Sequence, residues 1–386
     1  MDANSDCADP DGYVVRPLEP DDAEGFVTLH NDVWSRRRSV DWFDWRFLRR
    51  PGSTDEPDGF VTEFDGELVG ARLFFPYRAR VGGEPTLLRY ESQTMVREDH
   101  RRRGLLSRMT RLALDTYRDG ETALTFNYPN EMSSPGYRRF GWNEIGEVTR
   151  SYRLQFPRAG SALSVLRVGS GEQLLGSVGS DVLGRVARVA RRVGASPDRY
   201  RVTSHDRPPV DRLVGLYERA VPPAIHLERT AALYRWWFDR SSDDRRAYLV
   251  HERGTPVAGL LTRTECASYY GNEFRVTYLV DALPLSGSEN AEPVRAGLET
   301  VVADHPNSSV FVALEPLVPP AAARATGFVP DSAIPPALDL GPERLRLMVR
   351  SLRADCRWTV NGVTIGDRRN WAPSGIPLMD RTVEPG

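Results

Sequence analysis

Lysine is absent from all 386 residues, and the 51 basic side chains are arginine throughout. That excludes Schiff-base chemistry and a lysine clamp on phosphate, and it leaves every cationic role to a planar guanidinium that stays charged. Cysteine is scarce: Cys7, Cys266 and Cys356 are odd in number and widely spaced, which gives neither a disulfide framework nor a close metal motif and implies a reducing, cytoplasmic setting. The six histidines include no pair at ligand spacing, so no metal is expected. No apolar run reaches transmembrane length. The acidic opening MDANSDCADPDGY has no apolar core of a signal peptide, so residues 1–12 read as a flexible leader. A net charge of -2 gives no electrostatic reason to expect a nucleic acid or an anionic membrane as partner.

What is present is enough chain for two domains and one stretch around which the first is organised. Residues 87–96 (LLRYESQTMV) read as a strand, REDH as a turn, and RRRGLLSRMTRLAL as the start of a helix. A glycine between three arginines and an apolar-periodic helix lets the backbone approach an anion, and the unpaired N–H groups of the first turn face it. A phosphate-bearing ligand fits this corner; an ordinary basic surface is the alternative. Before it, Phe60–Phe64, Asp65-Gly66 and Leu68–Phe75 read as a hairpin, and Gly82-Gly83 turns the chain into the organising strand. After it, Ala123–Phe126 is a buried strand, Asn130–Arg139 a short helix, and Glu144–Leu154 a returning strand.

Arg101-Arg102-Arg103-Gly104-Leu105-Leu106 resembles the pyrophosphate-binding motif of the GNAT superfamily of acyl-CoA-dependent N-acyltransferases, usually Gln/Arg-x-x-Gly-x-Gly/Ala. Arg101 and Gly104 fit; Leu106 departs, since a small residue is usual there. Asn130-x-x-Ser133-x-x-x-Tyr137, followed by Phe140-Gly141-Trp142, resembles a second landmark of that superfamily. The resemblance implies that Arg101, Arg102, Arg103, Gly104, Leu105 and Leu106 bind the CoA pyrophosphate, that Met95 and Val96 offer backbone to the acyl carbonyl, and that Asn130 and Ser133 hold the pantetheine arm or the helix start. It makes Tyr137 the acid for the CoA thiolate. The cofactor would be acetyl-CoA or another acyl-CoA, and the acceptor an amine on a small molecule or peptide.

Glu91 is the acidic residue of the organising strand. A carboxylate in a sheet is partnered, solvent-facing or functional, so Glu91 is a candidate general base, an ion-pair partner of Arg89 two residues away, or a substrate anchor. Trp42 and Trp45 stand at helical spacing, which reads first as a core stripe; by the resemblance they line an acceptor pocket. Ser133 and Ser134 have no neighbouring histidine to activate them.

In the second half, residues 182–193 carry valines at spacings near four with arginines between them, an amphipathic helix inside a linker spanning 158–197. From Tyr200 the order of the first half repeats at an offset of roughly 185 to 190 residues: strand, helix, an aromatic helix Leu233–Phe238 like Trp42–Phe47, a hairpin over Tyr248–Leu260, and Gly327-Phe328 like Gly141-Trp142. The expected fold is therefore α/β (α+β), two GNAT-like mixed-sheet domains in tandem with helices on both faces, at 13–157 and 198–335. The second is degenerate, because no arginine-glycine helix start follows Val280. Residues 336–386 are expected to pack on the second domain, with Leu345–Arg350 as a helix and Cys356–Asp367 as a hairpin. The leading function is N-acyl transfer. A non-catalytic acyl-CoA-binding scaffold and a tRNA-dependent aminoacyl or peptidyl transferase are the alternatives.

Overall fold

The computed structural model describes residues 11–35, 37–52, 57–118, 120–155, 199–239, 244–269, 272–285, 290–314, 317–333, 345–353, 358–372 and 374–378. Residues 1–10 of the expected leader, the linker helix, Cys7 and Cys356 lie outside them. In chain order the strands are β1 (Tyr13–Pro17), β2 (Gly59–Phe64), β3 (Glu67–Val81), β4 (Glu84–Val96), β5 (Thr122–Asn127), β6 (Asn143–Val148), β7 (Arg150–Leu154), β8 (Tyr200–His205), β9 (His226–Leu227), β10 (Asp244–Glu252), β11 (Thr255–Tyr269), β12 (Asn272–Leu283), β13 (Val310–Leu314), β14 (Val329–Pro330), β15 (Leu345–Ser351), β16 (Thr359–Val360) and β17 (Val363–Thr364). The helices are α1 (Ala23–Trp34), α2 (Val40–Phe43), α3 (Leu105–Tyr117), α4 (Ser134–Arg139), α5 (Val210–Glu218), α6 (Ala231–Phe238), α7 (Ala291–Asp304) and α8 (Pro320–Ala325).

The chain divides into two units: residues 1–146 with 346–368, and residues 147–345 with 369–386. In the first unit the sheet order is β1-β2-β3-β4-β5-β15-β6. β1 to β4 are antiparallel neighbours, β4 and β5 are parallel, and β15 runs antiparallel to β5. Tight turns fix the register. Asp65-Gly66 joins β2 to β3 with both residues at positive φ, and Gly82-Gly83 does the same between β3 and β4, the geometry that matches strand twist in a two-residue hairpin. α3 buries Leu105, Met109, Ala113 and Tyr117, one face at helical spacing. Met109 packs with Phe60, Phe74 and Tyr117 in the core of this unit.

The second unit has the sheet order β8-β10-β11-β12-β13-β7-β14, with β12 and β13 parallel and β7 antiparallel to β13. α7 lies close on β11: a Cβ at Gly297 would stand 2.3 Å from Leu260 Cδ1. The two orders match strand for strand, and the duplication reaches single residues. Gly70 pairs with Val96 and Gly259 with Leu283; two pairs further along each ladder comes a bulge, at Gln93 in β4 and at Val280 in β12. α4 and α8 are each followed by a glycine at positive φ, Gly141 and Gly327.

Two expectations fail here for one reason. The stretch Glu144–Leu154 is not a single strand of the first sheet: it breaks after Val148, and β7 pairs with β13 and β14 of the second sheet. The vacant place beside β5 is taken by β15, so residues 345–351 are a strand of the first sheet and not a helix, and residues 346–368 belong to the first unit instead of packing on the second. Each sheet thus borrows its penultimate strand from the other half of the chain. The expected hairpin near the end is present as β16 and β17.

Candidate active site

β4 and β3 stay in register from Glu84 to Ser92. Gln93 is then an extra residue at φ +49, and pairing resumes at Thr94 opposite Arg72. Such a bulge bends the strand and re-aims the side chains on either side of it. The parallel ladder to β5 ends earlier, at Tyr90 opposite Phe126. Met95 and Val96 therefore lie beyond the last β4–β5 pair, on a stretch of β4 that has parted from its neighbour.

The chain leaves β4 through a short turn of 3-10 helix over Glu98–His100 and enters α3 through Arg101–Gly104. Arg102 at φ +64 and Gly104 at φ +77 set the bend. Arg101, Arg102, Arg103 and Gly104 are exposed, Leu105 is buried, and Leu106 is half-buried. Arg101 Nε donates to the Val96 carbonyl at 3.0 Å, tying the turn to the end of the strand. No side chain caps α3, and a Cβ at Gly104 would have nothing within 4 Å, so the first-turn N–H groups are available to an anion at the end of a run of three exposed arginines. His100 is not at the surface. It is buried under the turn, with Nδ1 2.9 Å from the Tyr13 hydroxyl and Nε2 2.7 Å from Arg97 Nη2.

Glu91 points into the domain, and its side chain is fully buried. Its partner is not Arg89, which pairs with Asp58 at 2.8 Å. Arg72 Nη2 lies 2.7 Å from Glu91 Oε2, while Oε1 accepts the Tyr137 hydroxyl at 2.5 Å and Thr94 Oγ1 at 3.2 Å. Burial pushes the Glu91 carboxyl above its ordinary range, against the pull of Arg72, Tyr137 and Thr94. Burial and the neighbouring Glu91 charge likewise raise the Tyr137 phenol. The Arg72 guanidinium also lies over the rings of Tyr137, at 5.3 Å, and Trp142, at 5.7 Å.

α4 carries Tyr137, and Asn130 builds its start. Asn130 Oδ1 accepts from the Ser133 N–H at 2.9 Å and the Ser133 hydroxyl at 2.6 Å, and its carbonyl accepts from Ser134 Oγ at 2.8 Å. These bonds put Asn130 and Ser133 at the helix start. Trp42 and Trp45 are both buried at 6% exposure. The Trp42 ring stacks on Phe26 and meets Phe47 edge-on, the arrangement of a core stripe. The sequence reading missed Arg72 and Thr94. An arginine inside the apolar run Leu68–Phe75 was the available signal, because a buried charge demands a buried counter-ion.

Residues 14–145 match the family model of the acetyltransferase (GNAT) domain. Over those residues the first unit is similar to a GNAT domain. No curated protein matches the chain. Among solved structures it is similar to a probable N-acyltransferase from Enterococcus faecalis, 11% identical, with a TM-score of 0.58 over 88% of this chain and 72% of that one. It is also similar to Saccharomyces cerevisiae N-myristoyltransferase with bound myristoyl-CoA, 12% identical, with a TM-score of 0.58 over 89% and 80%. A third is a GCN5-related N-acetyltransferase from Anabaena variabilis, 11% identical, with a TM-score of 0.55 over 88% and 73%. At these identities the likeness is one of fold, and it extends over both units. The bulged β4, the arginine-glycine turn and α4 with Tyr137 all lie within the matched GNAT residues. Among the described residues no three potential ligands gather to hold a metal, and no helix is long and apolar enough to cross a membrane.

Proposed function

We propose that the protein is an acyl-CoA-dependent N-acyltransferase that uses acetyl-CoA and acylates a primary amine of a small or medium-sized acceptor by direct attack. The observation that carries this reading is the open first turn of α3. Gly104 leaves room on its outer side, no side chain occupies the cap, and the exposed Arg101, Arg102 and Arg103 lead directly into it. These are the requirements for holding a pyrophosphate without a metal. Acyl-CoA, when bound, supplies a thioester carbonyl. In this reading the parted stretch of β4 at Met95 and Val96 presents backbone to that carbonyl, where a fixed N–H stabilises the charge that develops during attack. Tyr137 and Glu91 handle the protons, and Asn130 and Ser133 fix the helix that carries Tyr137. The half-buried Leu106 flanks the phosphate site from the second position of α3.

The test is calorimetric titration of the whole chain with acetyl-CoA, followed by thiol release in the presence of spermidine, benzylamine and glycinamide. Binding with turnover of at least one amine is the expected result. Binding without turnover would favour the non-catalytic scaffold, and no heat with any acyl-CoA from folded protein would overturn the reading.

A further inference from the structure

A tyrosine hydroxyl carries one proton, and in Tyr137 that proton is committed: the hydroxyl donates to Glu91 Oε1 at 2.5 Å. Towards any ligand Tyr137 therefore presents lone pairs. Glu91, for its part, is enclosed by the protein: Oε2 lies 2.7 Å from Arg72 Nη2 as an ion pair, Oε1 accepts from both Tyr137 and Thr94, and the side chain is fully buried, so a proton from an acceptor amine comes to it through Tyr137. The bulge makes this cluster, since the extra residue Gln93 brings Glu91 and Thr94 to one face of β4 opposite Arg72 of β3. The groups facing the carboxylate are Arg72 from β3, Thr94 from its own strand and Tyr137 from α4, with Arg350 of β15 over the neighbouring Trp142 ring.

We propose that Tyr137 and Glu91 act as one proton relay that accepts the proton of the attacking amine, with Arg72 as its positioning residue, a proposal that rests on the acyltransferase reading. As the nitrogen bonds to the thioester carbon, its proton passes to Tyr137 Oη and the phenol proton passes to Glu91 Oε1. The C–S bond breaks with its electron pair on sulfur, and the thiolate takes a proton from solvent. Glu91 returns its proton to solvent through Tyr137, which restores the starting state. The role differs from an independent thiolate acid: Tyr137 conducts a proton inward. The direction agrees with the environment, because burial makes the carboxyl a better proton acceptor than an exposed one, and a phenol beside that carboxylate a poorer donor to anything else. Arg72 lies against Oε2 at 2.7 Å, and Oε1 is the oxygen that faces Tyr137.

The experiment is a double-mutant cycle on turnover of acetyl-CoA with the best of the three amines. Glu91→Gln and Tyr137→Phe each remove the relay and should lower kcat by roughly 10²- to 10⁴-fold, and the double variant should be no slower than the slower single. Multiplicative losses would overturn the relay while leaving the acyltransferase reading intact; absence of turnover in the unaltered protein would overturn both. Retained acetyl-CoA heat verifies that each variant is folded. Thr94→Val is the milder arm, removing one donor to Oε1. It should keep most of kcat and move the acidic limb of the pH profile upward, and Arg72→Gln should move it further. Arg72→Lys should reverse part of that shift. A limb that stays in place in all three would refute the role given to Arg72 and to the carboxylate.

Discussion

At Gly104 a substitution can be read separately for folding and for binding. Its φ of +77 lies in the left-handed region, where an ordinary side chain costs about 1–2 kcal/mol and asparagine or aspartate less. A Cβ there meets no atom within 4 Å, so substitution brings backbone strain and no clash. Gly104→Asn and Gly104→Asp have the same shape and differ by one charge. In the absence of ligand the carboxylate at the start of α3 should favour the helix by about 0.3–1 kcal/mol, leaving the Asp variant at least as stable as the Asn variant. With acetyl-CoA the order reverses. A carboxylate about 4 Å from a phosphate charge is opposed by about 1 kcal/mol in a watery setting and about 4 kcal/mol at an effective dielectric near 20. That weakens binding between about fivefold and roughly a thousandfold. Thermal melting without ligand and calorimetric titration with acetyl-CoA read the two halves of the prediction. Equal dissociation constants for the two variants would refute the placement of pyrophosphate at this turn.

Asn130→Ala removes the acceptor of two bonds from Ser133 and should cost about 0.5–2 kcal/mol; thiol-release kinetics should show kcat falling as Tyr137 loses its mount, and unchanged kcat would show that α4 holds without it. Gly297→Ala drives a methyl towards Leu260 and Val250 and should destabilise the second unit by about 1–3 kcal/mol in denaturant melts. A chain ending at residue 340 keeps every motif residue of the GNAT domain but lacks β15, so acetyl-CoA binding should be lost; full binding would contradict the observed sheet order. Asp22 is opposed by burial but titrates below its ordinary value because Arg16 and the Glu19 N–H bond to it. Its pairing therefore stabilises the fold above about pH 4 and is lost as the pH falls below that range. Acid melts should accordingly show a shallower decline for Asp22→Asn.

Much of the first unit was legible because its signals are local. Asp65-Gly66 and Gly82-Gly83 can hardly do other than turn a hairpin, and the periodicity from Leu105 to Tyr117 leaves one buried face. Gly104 and Tyr137 were singled out by their motifs, and they stand at the turn into α3 and in α4. The partners of Glu91 were not legible, because Arg72 lies 19 positions away and meets it only through the β3–β4 register, and nothing in residues 87–96 announces that Gln93 is a bulge. Arg89 was the near neighbour in sequence, but Asp58 claims it.

The chain by itself determined most of the elements, their order and their repetition: turn chemistry, apolar period and the arginine-glycine helix start act within a few residues, and the second half repeats the first without that helix start. Only the tertiary structure decided which strand completes which sheet. β7 joins the second sheet and β15 the first, a long-range choice that local propensity does not encode. The same holds for the buried cluster of Arg72, Glu91 and Tyr137. Its members are ordinary residues in sequence, and their chemistry arises from being enclosed together, where charge, hydrogen bonding and exclusion of water act at once.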